Sequence, residues 1–157
     1  MVSLSLHIKA ATRNPDGAFC TQQARNLFMP GELENVRFLI RDRDSKFSGA
    51  FNEVLRTEEI RTIRTPIRSP KANAFAERTV RTIRAELLDW TLILGRRHLD
   101  RVLASYACHY NAERPHRGIE LRVPSNPSHI DPVTIVPETR RRDLLGGLIH
   151  EYHAVAA

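Results

Sequence analysis

Phe38-Leu39-Ile40-Arg41-Asp42-Arg43-Asp44-Ser45-Lys46-Phe47 is the stretch on which the reading of this chain turns. The apolar residues Phe38, Leu39 and Ile40, with Val36 before them, stop at Arg41 and Asp42. Such a run reads as a strand, Val36 to Ile40, buried on both faces. Asp42 is then a carboxylate at a strand end. Asp44 would share its face if the strand continued, because strand side chains alternate with a period of two. Asp42 is favoured because it follows the run directly. The plainer alternative is that both residues end the strand as turn formers.

Downstream, Asn73-Ala74-Phe75-Ala76-Glu77-Arg78 opens a patterned segment. Ala76, Val80, Ile83 and Leu87 recur at helical spacing, which predicts a helix from about Ala72 to Trp90 with one apolar stripe. Glu77, Arg81, Arg84 and Leu88 share a neighbouring face. A glutamate on a helix is most often a solvated charge, and Glu77 with Arg81 reads first as a surface pair worth a few tenths of a kcal/mol. Three features argue for more. Small or apolar residues precede Glu77, arginines follow one and two turns along its face, and Asp42 lies at a spacing that a strand-helix-strand-loop excursion would close. A strand-end carboxylate facing a helix carboxylate is how proteins hold divalent metals for phosphodiester chemistry.

The remaining elements are read from pattern. Leu4, Leu6 and Ile8 alternate with Ser3, Ser5 and His7, a strand with one buried face. Asn14-Pro15-Asp16-Gly17 is a turn. A helix is expected from about Ala18 to Phe28, closed by Pro30-Gly31. Ser45 is a cap for a short helix carrying Phe51, Val54 and Leu55. Ile60 to Thr65 is a strand ended by Pro66, and the prolines Pro66 and Pro70 stiffen the next loop. A second long helix, Arg97 to Asn111, presents Leu99, Val102, Leu103, Tyr106 and Tyr110 as its core face. Residues from Pro124 onward, rich in Pro and Ser, read as an extended tail.

The length of 157 residues suits one domain, and 41% hydrophobic residues are enough for a core. The net charge of +6 and a pI near 10.0 favour an acidic partner such as nucleic acid. Ten Lys/Arg against five Asp/Glu fall between Arg56 and Arg97, so most of the excess flanks Glu77. Cys20 and Cys108 form no CxxC and fit a reduced compartment. No apolar run reaches membrane-spanning length, and nothing resembles a signal peptide; a cytoplasmic location is expected.

Three ordered motifs resemble one family. Arg41-Asp42-Arg43-Asp44-Ser45-Lys46-Phe47, Asn73-Ala74-Phe75-Ala76-Glu77-Arg78, and His109-Tyr110-Asn111-Ala112-Glu113-Arg114-Pro115-His116-Arg117 are similar to the catalytic core of DDE transposases and retroviral-type integrases, most of all those of bacterial insertion sequences. The resemblance runs from about Thr12 to the C-terminus. It implies an α/β chain with an RNase H-like fold, a mixed sheet with helices on both faces. It implies DNA strand cleavage and transfer with Mg²⁺, or Mn²⁺ in its place. It implies that Asp42 and Glu77 are the second and third acidic metal ligands and catalytic residues. Lys71, Arg78, Arg81 and Arg84 fall where the family puts basic residues against DNA phosphates. The His109 to His116 segment is better explained by helix-end chemistry, with Arg114 or His116 anchoring the tail.

The chain departs from the family at its first acidic ligand. The only aspartate before Asp42 is Asp16, inside a turn. The Leu4 to Ile8 strand resembles the family's third, so the expected object is an N-terminally truncated core over residues 1–127, lacking the first two strands, followed by a tail over 128–157. Loss of the central strand would leave an apolar strand with an open edge. The chain is expected to be inactive in strand transfer. The alternative is a non-catalytic DNA-binding or oligomerising remnant, whose partners would be DNA, a second copy or a full-length transposase. An unrelated Mg²⁺-dependent nuclease of similar fold is the third reading; the long helix and the His109 to His116 segment speak against it.

Overall fold

The computed structural model describes residues 5–29, 36–67, 74–125 and 138–155. The chain divides into two compact units, residues 9–85, and residues 1–8 with 86–157. It is an α/β protein with short two-stranded sheets among the described residues.

In the unit of residues 9–85, helix α1 spans Gly17–Phe28. Asp16 starts it: its backbone is extended and its carboxylate accepts a hydrogen bond from the Phe19 N–H at 2.7 Å. This satisfies one of the free N–H groups of the first turn. Strand β1 (Phe38–Arg41), helix α2 (Gly49–Thr57) and strand β2 (Arg61–Arg64) come next. The two strands are parallel, with Ile40 opposite Ile63, and α2 is the crossover between them. Ala24, Phe51, Leu55 and Ile60 form the core, with Cys20, Phe28, Val36, Leu39, Phe47 and Val54 packed around it.

Strand β1 is shorter than expected and is not buried on both faces. Leu39 and Arg41 turn inward, while Phe38 is 53% and Ile40 60% exposed. The helices α1 and α2 cover one face only, and Ile63 of β2 joins Phe38 and Ile40 on the open one. The start of α2 also differs: its N-cap is Ser48, not Ser45, and the Ser48 side chain makes no capping bond.

Helix α3 spans Ala74–Glu86, and none of its residues is buried. The expected start at Ala72 lies outside the described residues. Its expected end at Trp90 is cut short, because Leu87 leaves helical geometry and a 3-10 turn over Leu88–Trp90 takes over. Leu87 is fully buried, so the chain breaks its helix to insert that side chain. The upper part of the stripe, Ala76 and Val80, stays exposed.

In the other unit, helix α4 spans Arg96–Ala112 and buries Val102 and Tyr106. Ser5 to Ile8 belong to no sheet, which corrects the expected strand. Their burial does alternate, with Leu6 and Ile8 inward. The Asn111 side chain takes the place of a neighbouring strand: its Oδ1 accepts from the Leu6 N–H at 2.8 Å, and its Nδ2 donates to the Leu6 carbonyl at 2.9 Å.

The C-terminal part is not an extended tail. Strands β3 (Thr139–Leu144) and β4 (Ile149–Ala154) form an antiparallel hairpin, with Arg141 opposite Tyr152. Leu145, Gly146 and Gly147 all have positive φ in the turn, where two glycines spare most of the strain. The Pro- and Ser-rich composition that suggested a tail belongs to residues up to Pro137; the strands themselves carry an inward Ile149 and Glu151. The expected boundary at residue 127 lies outside the described residues.

Candidate nucleic-acid and metal-binding site

Asp42 directly follows β1, and the backbone around it is pinned from several sides. The β1–β2 ladder continues past the strands, with the Thr65 N–H donating to the Arg41 carbonyl at 2.9 Å. Arg43 Nε donates to the Thr65 carbonyl at 2.9 Å. Arg41 is buried; its guanidinium donates to the Asp42 carbonyl and to Asn52 Oδ1, both at 3.0 Å, and lies over the Phe47 ring at 5.1 Å. Burial pulls the Arg41 pKa below the usual arginine range, with Arg64 adding to this and Asp42 opposing it.

The Asp42 carboxylate is exposed and accepts one bond, from the Asp44 N–H at 3.1 Å. Its rival Asp44 is engaged elsewhere. Lys46 Nζ reaches Asp44 Oδ2 at 2.6 Å, and the Lys46 N–H reaches Oδ1 at 2.9 Å. These bonds, the side-chain one first, hold the Asp44 carboxyl below its ordinary range. Asp42 is therefore the more available of the two.

Glu77 stands in the first turn of α3, exposed. The surface pair with Arg81 is not formed among the described residues. Arg78, Arg81 and Arg84 are exposed along the same helix, and Lys71 lies outside the described residues. Asp42 and Glu77 share the unit of residues 9–85. Among the described residues no three His, Cys, Asp or Glu side chains gather as a metal site. Two carboxylates are of the right type for Mg²⁺, an ion held by one or two carboxylates with waters and substrate phosphates filling the rest of its shell.

Sequence reasoning missed a polar cluster at the end of α3. Glu86 accepts two bonds from Arg114, at 3.1 and 2.5 Å, and one from the Tyr106 hydroxyl at 2.6 Å. His116, buried, packs its ring edge-on to Tyr110 at 4.4 Å. The Arg-Pro-His run hinted at the anchor, but nothing marked Glu86 as its partner. A buried carboxylate, Glu151 of β4, meets His109 Nδ1 at 3.1 Å.

Comparison with known families bears on the same stretch. Residues 58–124 match the family model of the integrase core domain. That stretch is similar to an integrase core domain. At the level of the family, this similarity supports a role in DNA integration and transposition. The integrase match takes in β2, α3, α4, Glu77, Arg78, Arg81 and Arg84, and leaves Asp42 outside. No curated protein matches the chain. No helix among the described residues is long and apolar enough to cross a membrane.

Proposed function

We propose that the chain is an RNase H-like integrase core that binds duplex DNA through the exposed basic face of α3 and catalyses little or no strand transfer by itself. The observation that carries this reading is that α3 leaves Glu77, Arg78 and Arg81 open to solvent on a helix with no buried residue. Guanidinium groups at that spacing suit phosphate contacts, which fix the position of DNA and make binding salt-dependent. The partial core over residues 1–127 holds Asp42 and Glu77 as the carboxylates of the family's chemistry. Because no cluster of three metal-binding side chains forms among the described residues, no chemical step is assigned to them. DNA as partner and two free cysteines suit the cytoplasm.

The test has two parts. Titration calorimetry of Mg²⁺ and Mn²⁺ is run on the chain and on Asp42→Asn and Glu77→Gln. Binding lost in both variants means that the two carboxylates act on one ion. DNA binding is measured in parallel: Glu77→Gln should retain it, and an Arg78→Gln/Arg81→Gln double variant should weaken it. Mg²⁺-dependent DNA joining at an ordinary integrase rate would sink the inactive reading. Undiminished binding by the arginine variant would remove α3 as the contact.

The second reading is a remnant that acts by association with another copy or with a full-length transposase. It is favoured by the open apolar face of Phe38, Ile40 and Ile63. A monomer at all concentrations would exclude self-association.

A further inference from the structure

The C-terminal hairpin lies beyond the residues that match the family, and its arginines are not those of α3. Every residue from Thr139 to Asp143 on β3 is exposed, including Arg140, Arg141 and Arg142. Alternation along a strand sends Arg141 to one face and Arg140 and Arg142 to the other. β3 pairs with β4 alone among the described residues, so these guanidinium groups rim a free edge. Tyr152, 62% exposed, lies opposite Arg141.

The acidic residues of the hairpin are placed differently. Glu151 is buried, and His109 holds it from α4; Arg142 and His153 approach it only at 3.8 and 3.6 Å. Asp143 is shared between Arg141 at 3.0 Å and His150 at 2.7 Å. Arg140 has no ion pair among the described residues, and Glu138 is exposed before the strand. The segment sums to no net charge, yet its arginines are outside while its Glu151 is inside. Ile149 and Glu151 anchor β4, which leaves β3 as the outward strand of the ribbon.

We infer that this hairpin is a second duplex-DNA contact, a basic β-ribbon whose Arg140, Arg141 and Arg142 engage phosphates while Tyr152 packs against the sugar-phosphate wall. The exposed β3 strand carries three arginines that a phosphate backbone can meet, and Tyr152 shares the open face with Arg141 while Glu151 and Ile149 occupy the other. The inference shares its ligand with the α3 reading but stands on different residues, so the two fail separately.

The experiment measures binding of the full chain to a fluorescent duplex by anisotropy over a range of salt. An Arg140→Gln/Arg141→Gln double variant spares Arg142, which approaches Glu151, and thermal melting checks that the fold survives. Each lost phosphate contact lowers the slope of log affinity against log salt by about 0.9. The double variant should therefore lower it by about 2, with affinity down several-fold at low salt. Lysine at both positions should restore most of the slope, because phosphate neutralisation needs charge and not a fixed hydrogen-bond pattern. A slope unchanged in the double variant but reduced in the Arg78/Arg81 variant overturns the ribbon and keeps α3; the converse keeps the ribbon and removes α3. Unchanged DNA binding together with new self-association would make the arginines guards of a free edge, which also overturns the inference.

Discussion

Glu86 shows what a single half-buried carboxylate does for this fold. Burial alone would raise its pKa. The bonds from Arg114 and Tyr106, with the Arg114 charge and that of His109, outweigh burial and hold it below its ordinary value of 4.5. A depressed carboxylate contributes stability that is present above its unfolded pKa and lost as pH falls through its folded one. Acid unfolding of the wild type below pH 4.5 should therefore be steeper than that of Glu86→Gln, as read by circular dichroism. The same cluster pushes the Tyr106 hydroxyl far above the usual tyrosine range, by burial first and the Glu86 bond second. Tyr106→Phe should cost about 1.5 to 3 kcal/mol in urea unfolding, the worth of a hydrogen bond to a charged group. Arg114→Ala should cost a similar amount, since partial exposure screens the ion pair. Wild-type stability in both variants would mean that the cluster is ornamental.

At the scale of elements, the helices differ in what holds them. Helix α2 buries Phe51 and Leu55, and Leu55→Ala should lose about 2 to 5 kcal/mol by opening a cavity. No residue of helix α3 is fully buried, and an isolated helix of its length is marginal in water. Its amide hydrogens near Phe75 to Val80 should exchange far faster than those of α4. Equal protection would show that α3 is covered by something. The sequence revealed most of these elements because their signals are local: the Asp16 turn beside α1, the Phe51 and Leu55 pair, the spacing of Val102 and Tyr106. It misled where partners decide. Val36 to Ile40 is apolar enough for a doubly covered strand, but covering belongs to neighbours. Leu87 had the right spacing for the α3 stripe, and its burial instead broke the helix. The hairpin was hidden because three arginines on an edge strand leave no apolar alternation. For Asp42 and Glu77 the sequence supplies residue type and spacing alone, and periodicity does not encode the tertiary placement on which a shared site depends.

For the whole molecule, the open face of Phe38, Ile40 and Ile63 is the feature with the widest effect. Contiguous exposed apolar side chains on a short sheet favour association. Sedimentation should show concentration-dependent assembly of the chain, and Ile40→Lys should reduce it. Assembly unaffected by that charge would move the contact elsewhere.

The two bonds between Leu6 and Asn111 span 105 positions of the chain. They make one unit discontinuous, with residues 9–85 inserted between its first strand-like segment and the rest. During synthesis, Ser5 to Ile8 leave the ribosome long before Asn111 exists. At about 5 to 20 residues per second, they wait roughly 5 to 20 s for it. A segment made early is then among the last to find its place, and in that interval it is open to proteases and chaperones.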